Sequence, residues 1–250
     1  MKKIIYLFSA LILVVSSCKK DDDATPAATS STTTVVNTTP DWPDADGLFA
    51  AIISNNWIDI PFVGPFNMPY GTAGGYVFSS TGATTFIDAG TIKCDDTLLV
   101  RDNTNFYSYK GTGSSATGLQ YSSGNAKWEI GGNSSVVGFN YTTTNGFPEI
   151  DSISSANTLF SGFSYTLSTS SMITNSDSVI FLIARGGKAY VVTRGPGTTS
   201  HTFSAAEVSA LGVGTGVAEI IPYSLESKVA NGKKYYFLNE NTVTKAITIQ

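Results

Sequence analysis

An all-β protein built from two tandem antiparallel β-sandwiches is what the sequence predicts, on three observations. Charged residues are only 14% of the chain, while Gly, Ser and Thr are abundant; an ordinary soluble protein carries about 25% charged residues. Short runs of β-branched and aromatic residues recur, divided by Gly, Asn, Asp and Ser clusters, which is the rhythm of a sandwich or barrel. The rhythm breaks at Asn145-Gly146-Phe147-Pro148-Glu149 and then restarts. A turn-forming dipeptide and a residue forced extended by the following proline make that stretch a boundary. Residues 42–150 and 151–250 are therefore expected as separate domains, with 42% hydrophobic residues to fill their cores.

The first 41 residues read differently. Lys2 and Lys3 precede an apolar run from Ile4 to Val15 and the small residues Ser16 and Ser17, the three parts of a secretory signal peptide spanning 1–17. The run is shorter than the roughly 20 apolar residues a membrane-spanning helix needs, so cleavage is expected. Val15-Ser16-Ser17-Cys18 resembles the lipobox of bacterial lipoproteins at every position. The resemblance implies that Cys18 is acylated on its sulfur and, after cleavage, on its amino group. Several acyl chains anchor durably where one holds only marginally. Lys19-Lys20-Asp21-Asp22-Asp23 resembles the run after the cysteine in surface-exported lipoproteins of Bacteroidetes type. The alternative is a run that only keeps a linker solvated, with the protein on the periplasmic face of the outer membrane. Ala24 to Pro40, rich in Thr, Ser and Ala, completes an 18–41 anchor and disordered tether, with a coil span of about 25 to 30 Å.

Order is expected from Trp42-Pro43. Asp46 as an N-cap before Gly47-Leu48-Phe49-Ala50-Ala51-Ile52-Ile53 suggests a short core-sealing helix. From Gly75 the period is two. Tyr76–Phe78, Thr84–Ile87, Thr91–Cys94, Thr97–Val100, Phe106–Tyr109, Lys127–Ile130 and Val136–Phe139 are the strands of the first domain.

In the second domain, Phe163–Leu167 alternates, and Val179–Ala184 with Ala189–Thr193 forms a hairpin across Arg185-Gly186-Gly187-Lys188. Ser204-Ala205-Ala206-Glu207 has capping-box spacing and opens one helical turn ending near Leu211-Gly212. Val217–Tyr223 is a strand that Pro222 demotes to an edge. Asn231-Gly232 turns into Lys233–Asn239, and Val243–Ile249 closes the domain. In length and rhythm this half resembles bacterial immunoglobulin-like or fibronectin-like modules, which implies an immunoglobulin-like sandwich.

Chemistry is sparse. The net charge of -4 and the lack of a dense basic stripe exclude nucleic acid as a partner. One histidine, His201, in a polar loop or strand start, and one thiol beyond Cys18, namely Cys94, cannot assemble a zinc site. No nucleophile-elbow pattern marks a serine. Cys94 reads as a small buried hydrophobe. The carboxylates Asp88, Asp95, Asp96, Asp102, Glu129, Glu149 and Asp151 form a pool for glycoside hydrolysis or calcium, but Asp95-Asp96 and Asp102-Asn103 serve turns. The EF-hand spacing is missing, and the glycine runs 111–113 and 212–216 lack a dinucleotide context. No metal or cofactor is implied. Trp128 is expected inside, whereas Tyr107 and Tyr109, on one strand face, are the candidate ligand-binding pair. The expected role is a non-enzymatic binding or structural module at the cell surface, meeting polysaccharide or an envelope protein. The alternatives are a polysaccharide-degrading hydrolase and a fixed structural subunit of an envelope complex.

Overall fold

The computed structural model describes residues 42–60, 64–111, 115 and 117–250. The signal peptide, Cys18, the Lys19–Asp23 run and the tether lie outside the described residues. The described chain is predominantly β, 54% strand with one helix.

In chain order the strands are β1 (Gly47–Ile60), β2 (Gly64–Phe78), β3 (Phe86–Ile87), β4 (Ile92–Cys94), β5 (Thr97–Leu98), β6 (Val100–Arg101), β7 (Tyr107–Ser108), β8 (Lys127–Ile130) and β9 (Phe139–Thr142). They continue as β10 (Thr158–Leu159), β11 (Tyr165–Ser168), β12 (Ser178–Arg185), β13 (Lys188–Arg194) and β14 (Ser200–Phe203). Helix α1 (Ala205–Leu211) precedes β15 (Gly214–Ala230) and β16 (Lys233–Ile249). A ten-stranded sheet runs β13-β12-β15-β16-β1-β2-β7-β6, with β10 beside β16 and β3 beside β2. A four-stranded sheet, β5-β4-β8-β9, and a two-stranded one, β11-β14, complete the set.

Three turn signals read from the sequence are realised. Asn231-Gly232 and Gly186-Gly187 both take positive φ at two consecutive residues, the backbone that a two-residue hairpin demands. Ser204 and Glu207 close a capping box at the start of α1. Two expectations fail, for physical reasons. The helix expected after Asp46 is the strand β1. Its apolar residues fill both faces of a central strand, Phe49 and Ala51 in one core and Leu48, Ala50 and Ile52 in another, and a continuous apolar run cannot be told from a helix by periodicity. Asp46 instead clamps the strand start, accepting from the Lys234 N–H at 2.8 Å and the Thr81 hydroxyl at 2.7 Å. The strand holding Pro222 is central, between β12 and β16. Its pairing with β16 passes from Ile220↔Val243 to Tyr223↔Glu240 and skips Pro222, so the missing N–H falls where the ladder is already open.

The expected boundary near 150 does not divide this sheet. β1 pairs in parallel with β16, from Gly47↔Tyr235 to Asn56↔Thr244. Two cores lie along the same face of β16. Tyr235 and Phe237 join Phe49, Trp128 and the four-stranded sheet, while Val243, Ile247 and Ile249 join β11, β14 and α1. The third core, on the opposite face, includes Leu48, Tyr76, Leu182, Tyr223 and Leu238. The two rhythms in the sequence thus correspond to two small layers on one long sheet. The stretch 143–148 is the crossing between them.

A fragment of residues 42–150 lacks Tyr235 and Phe237 and leaves Phe49, stacked 5.2 Å from Phe237, without its partner. It is expected to show no cooperative urea transition by circular dichroism; a cooperatively folded fragment would contradict the shared core.

Candidate functional site

Where β16 passes from one core to the other it turns polar on both faces. Between Phe237 and Val243 the residues are Leu238, Asn239, Glu240, Asn241 and Thr242. On the face that carries the two small layers, Asn239 donates from Nδ2 to Thr143 Oγ1 and to the Gly146 carbonyl, each at 2.9 Å. Asn241 donates to the Pro148 carbonyl at 2.8 Å and accepts from Asn55, which accepts in turn from Asn67 at 2.7 Å. Ser224 donates to the same Gly146 carbonyl at 2.8 Å. Glu226 takes the backbone N–H groups of Thr144 and Asn145 at 2.7 and 2.8 Å and the Tyr141 hydroxyl at 2.7 Å. Buried backbone polar groups need partners, and this set supplies them to the 143–148 crossing.

The opposite face carries two buried carboxyl groups, Glu219 and Glu240, 1% and 7% exposed. Cross-strand neighbours of Glu219 are Leu182 and Thr244, and those of Glu240 are Ile52 and Tyr223. Thr244 donates to Glu219 Oε1 at 3.2 Å, and Glu219 Oε2 and the Thr242 hydroxyl have no hydrogen-bond partner among the described residues. Burial pushes the Glu219 carboxyl up to about 7, against the Thr244 hydrogen bond. Burial, and then the charge of Glu219, push Glu240 up to about 7 as well. A carboxyl removed from water favours its neutral form. The pair can take up or release protons near neutrality, but it sits inside the sheet, away from any solvent-borne substrate.

The residues singled out from the sequence are placed as follows. Tyr107 and Tyr109 do share a face, but it is the core face. Tyr107 is 1% exposed and Tyr109 packs partly buried against the same cluster, so they form no exposed ligand platform. The reason is the hydroxyl of Tyr107, which finds Asp88 Oδ1 and the Gly90 carbonyl at 2.9 Å each and accepts from the Ala89 N–H; a ring with a satisfied polar tip goes inside. Trp128 and Cys94 are fully buried, as expected, and burial raises the Cys94 thiol well above its ordinary value. His201 lies in strand β14, between Phe181 and Phe203, with Nδ1 3.1 Å from Arg194. Burial, then Arg194, lower its pKa.

The carboxylate pool is dispersed into local roles. Asp95 and Asp96 take positive φ in the β4–β5 turn, and Asp102 accepts from Thr104 N–H at 2.8 Å and Phe106 N–H at 3.0 Å. Asp88 pairs with Arg101, Asp96 with Lys127 and Glu129 with Lys93. Glu149 accepts from Thr174 at 3.0 Å, and Asp151 from Ser170 at 3.1 Å. Among the described residues no cluster of three metal-ligating side chains occurs, and no helix is long and apolar enough to cross a membrane. Glu219 and Glu240 were missed by sequence reasoning. A charge inside the apolar run Val217-Ala218-Glu219-Ile220-Ile221 was the available signal for the first; Glu240, set among Asn239, Asn241 and Thr242, looked like a loop.

No protein-family model matches this chain, and no curated protein matches it in sequence.

Both buried glutamates hold protons in the folded chain up to about pH 7 but ionise near 4.5 when unfolded. The folded state therefore binds more protons across that window, and stability falls as pH rises from 4.5 to 7, by on the order of 3 kcal/mol per carboxyl. Glu219→Gln and Glu240→Gln are each expected to flatten this fall in urea midpoints measured from pH 4 to 8. An unchanged slope in both variants would contradict the assignment.

Proposed function

We propose that the protein is a lipid-anchored module of the outer membrane, exposed at the cell surface, whose work is binding or structure rather than catalysis. The observation that carries this reading is Val15-Ser16-Ser17-Cys18 followed by Lys19-Lys20-Asp21-Asp22-Asp23 and a Thr/Ser/Ala tether. This order suits acylation, export and a body joined to the anchor by a long tether. Support for a non-enzymatic role comes from the use each carboxylate of the candidate pool finds in a turn, an ion pair or a hydroxyl contact. A hydrolase needs two carboxyl groups facing one substrate across a fixed gap. The layered arrangement, in which one long sheet bears two small sheets, is a sandwich-like body suited to presenting loops. Its partner is polysaccharide or an envelope protein, met through a surface other than the Tyr107/Tyr109 face.

The test is fractionation of cells expressing the wild type and two variants. Cys18→Ala is expected to remain unprocessed and to lose acyl label. Replacing Asp21, Asp22 and Asp23 with Ala is expected to keep the acyl label and the membrane association but to lose cleavage by protease added to intact cells. Membrane association that survives Cys18→Ala with normal processing would overturn the anchor, and unchanged protease access in the triple variant would overturn the export role.

A further inference from the structure

The end of the long sheet where β16 finishes carries three exposed apolar side chains brought together by the fold. Phe160 and Phe163 are 56% and 69% exposed and Val213 is 61% exposed. The loop 160–163 is a turn closed by Phe163 N–H on the Phe160 carbonyl at 3.1 Å. Ser209 of α1 pins it, its hydroxyl accepting from Gly162 N–H at 2.8 Å and from the Ser161 hydroxyl at 3.3 Å. The Ser209 carbonyl also accepts from Gly212 N–H at 3.0 Å, one residue before Val213. Gln250 ties in the chain end, donating to the Leu159 carbonyl and accepting from Ser161 N–H at 2.7 Å. These bonds tie the 160–163 loop to α1, and Leu159 and Gly214 both pair with Ile249, so the two phenylalanines and the valine lie at the same end of the sheet.

Two cations border it. Arg185 donates to the Leu211 carbonyl at 3.1 Å and Lys188 to the Ala210 carbonyl at 2.8 Å. Arg185 lies so close to Gly214 that an added Cβ there would meet its Nη2 at 2.7 Å. The one acidic side chain of α1, Glu207, is at the far end of the helix, turned back on Ser204 at 2.7 Å. Between Asp177 and Glu207 every charged side chain is basic: Arg185, Lys188 and Arg194.

We infer that this loop cluster is a membrane-surface contact, in which Phe160, Phe163 and Val213 enter the interfacial region of an anionic bilayer while Arg185 and Lys188 meet its headgroups. Three side chains exposed to this degree offer on the order of 300 Å² of apolar surface, with cations beside it. Loop-tip aromatics entering a soft interface need no complementary partner, and basic neighbours add attraction to anionic lipid. The contact is distinct from the acyl anchor. Trp42, where the described chain begins, stacks on Tyr236 near the start of β16, so the tether enters at the opposite end of that strand.

The experiment is co-sedimentation of the full mature chain carrying Cys18→Ser, which removes acylation and leaves only the body to bind. The vesicles are phosphatidylcholine alone, or phosphatidylcholine and phosphatidylglycerol in equal parts. Binding to the mixed vesicles is expected, with a loss of about tenfold or more in partition in a Phe160→Ser/Phe163→Ser/Val213→Ser variant and a smaller, salt-sensitive loss in Lys188→Gln. Leu98→Ser, at an exposed site in the other half, is expected to bind as the parent does. Matching circular dichroism and urea midpoints show that the variants remain folded. No sedimentation of the parent, or equal sedimentation of parent and triple variant, would overturn the inference. Failure of vesicle binding together with loop-dependent recovery of one envelope protein would assign the surface to a protein partner instead.

Discussion

The first strand of the folded body lies against the last. Ten residue pairs join β1 and β16 in parallel, Gly47↔Tyr235 through Asn56↔Thr244, and almost everything else is placed by that contact. β2 is set by its antiparallel register with β1, and β15 and then β12 and β13 by theirs with β16. Phe49 on β1 reaches Phe237 on β16 and Trp128 of the four-stranded layer, with ring centroids 5.2 and 5.3 Å apart. Removing a buried Phe ring of this kind costs about 3 to 5 kcal/mol. A parallel pairing of two strands so far apart in sequence is strongly non-local, so it is expected to form late in folding.

The same pairing creates the polar seam. A strand serving two cores must cross the gap between them, and its residues there face the chain segment that bridges the small layers. Asn239 and Asn241 meet that need on one face by binding the carbonyls of Gly146 and Pro148. The residues interleaved with them necessarily point to the other face, and there Glu240 is buried beside Ile52 and Tyr223. Buried carboxyl groups are kept neutral by desolvation, so the seam gives the sheet a pH response near neutrality. This cost in stability falls at the point where the two layers are joined.

Much of the local structure was legible in the sequence. The Asn231-Gly232 and Gly186-Gly187 turns, the Ser204/Glu207 capping box, the buried Trp128 and Cys94 and the turn roles of Asp95, Asp96 and Asp102 all follow from short-range chemistry. What was not legible is long-range. The run Leu48–Ile53 is apolar on both faces because β1 is central, and without its neighbours that pattern is equally a helix. Pro222 reads as an edge residue unless the interruption of the β15–β16 ladder beside it is known. Tyr107 reads as a surface aromatic unless Asp88 and Gly90 are seen to satisfy its hydroxyl. The change of rhythm near 150 falls where the chain passes from the four-stranded layer towards the two-stranded one, within one long sheet; periodicity carries no information on which sheet a strand joins. The proposed anchor and export run rest on sequence motifs alone and lie outside the described residues.

Native-state hydrogen exchange on β1 and β16 tests the central claim most directly. If the parallel pairing is the contact on which both layers depend, the amides of residues 48–55 and 236–243 open only with the whole molecule, sharing one free energy of exchange with β12 and β8. Exchange of β1 and β8 through an opening that leaves β12, β15 and β16 protected would contradict the account and show two independently stable halves.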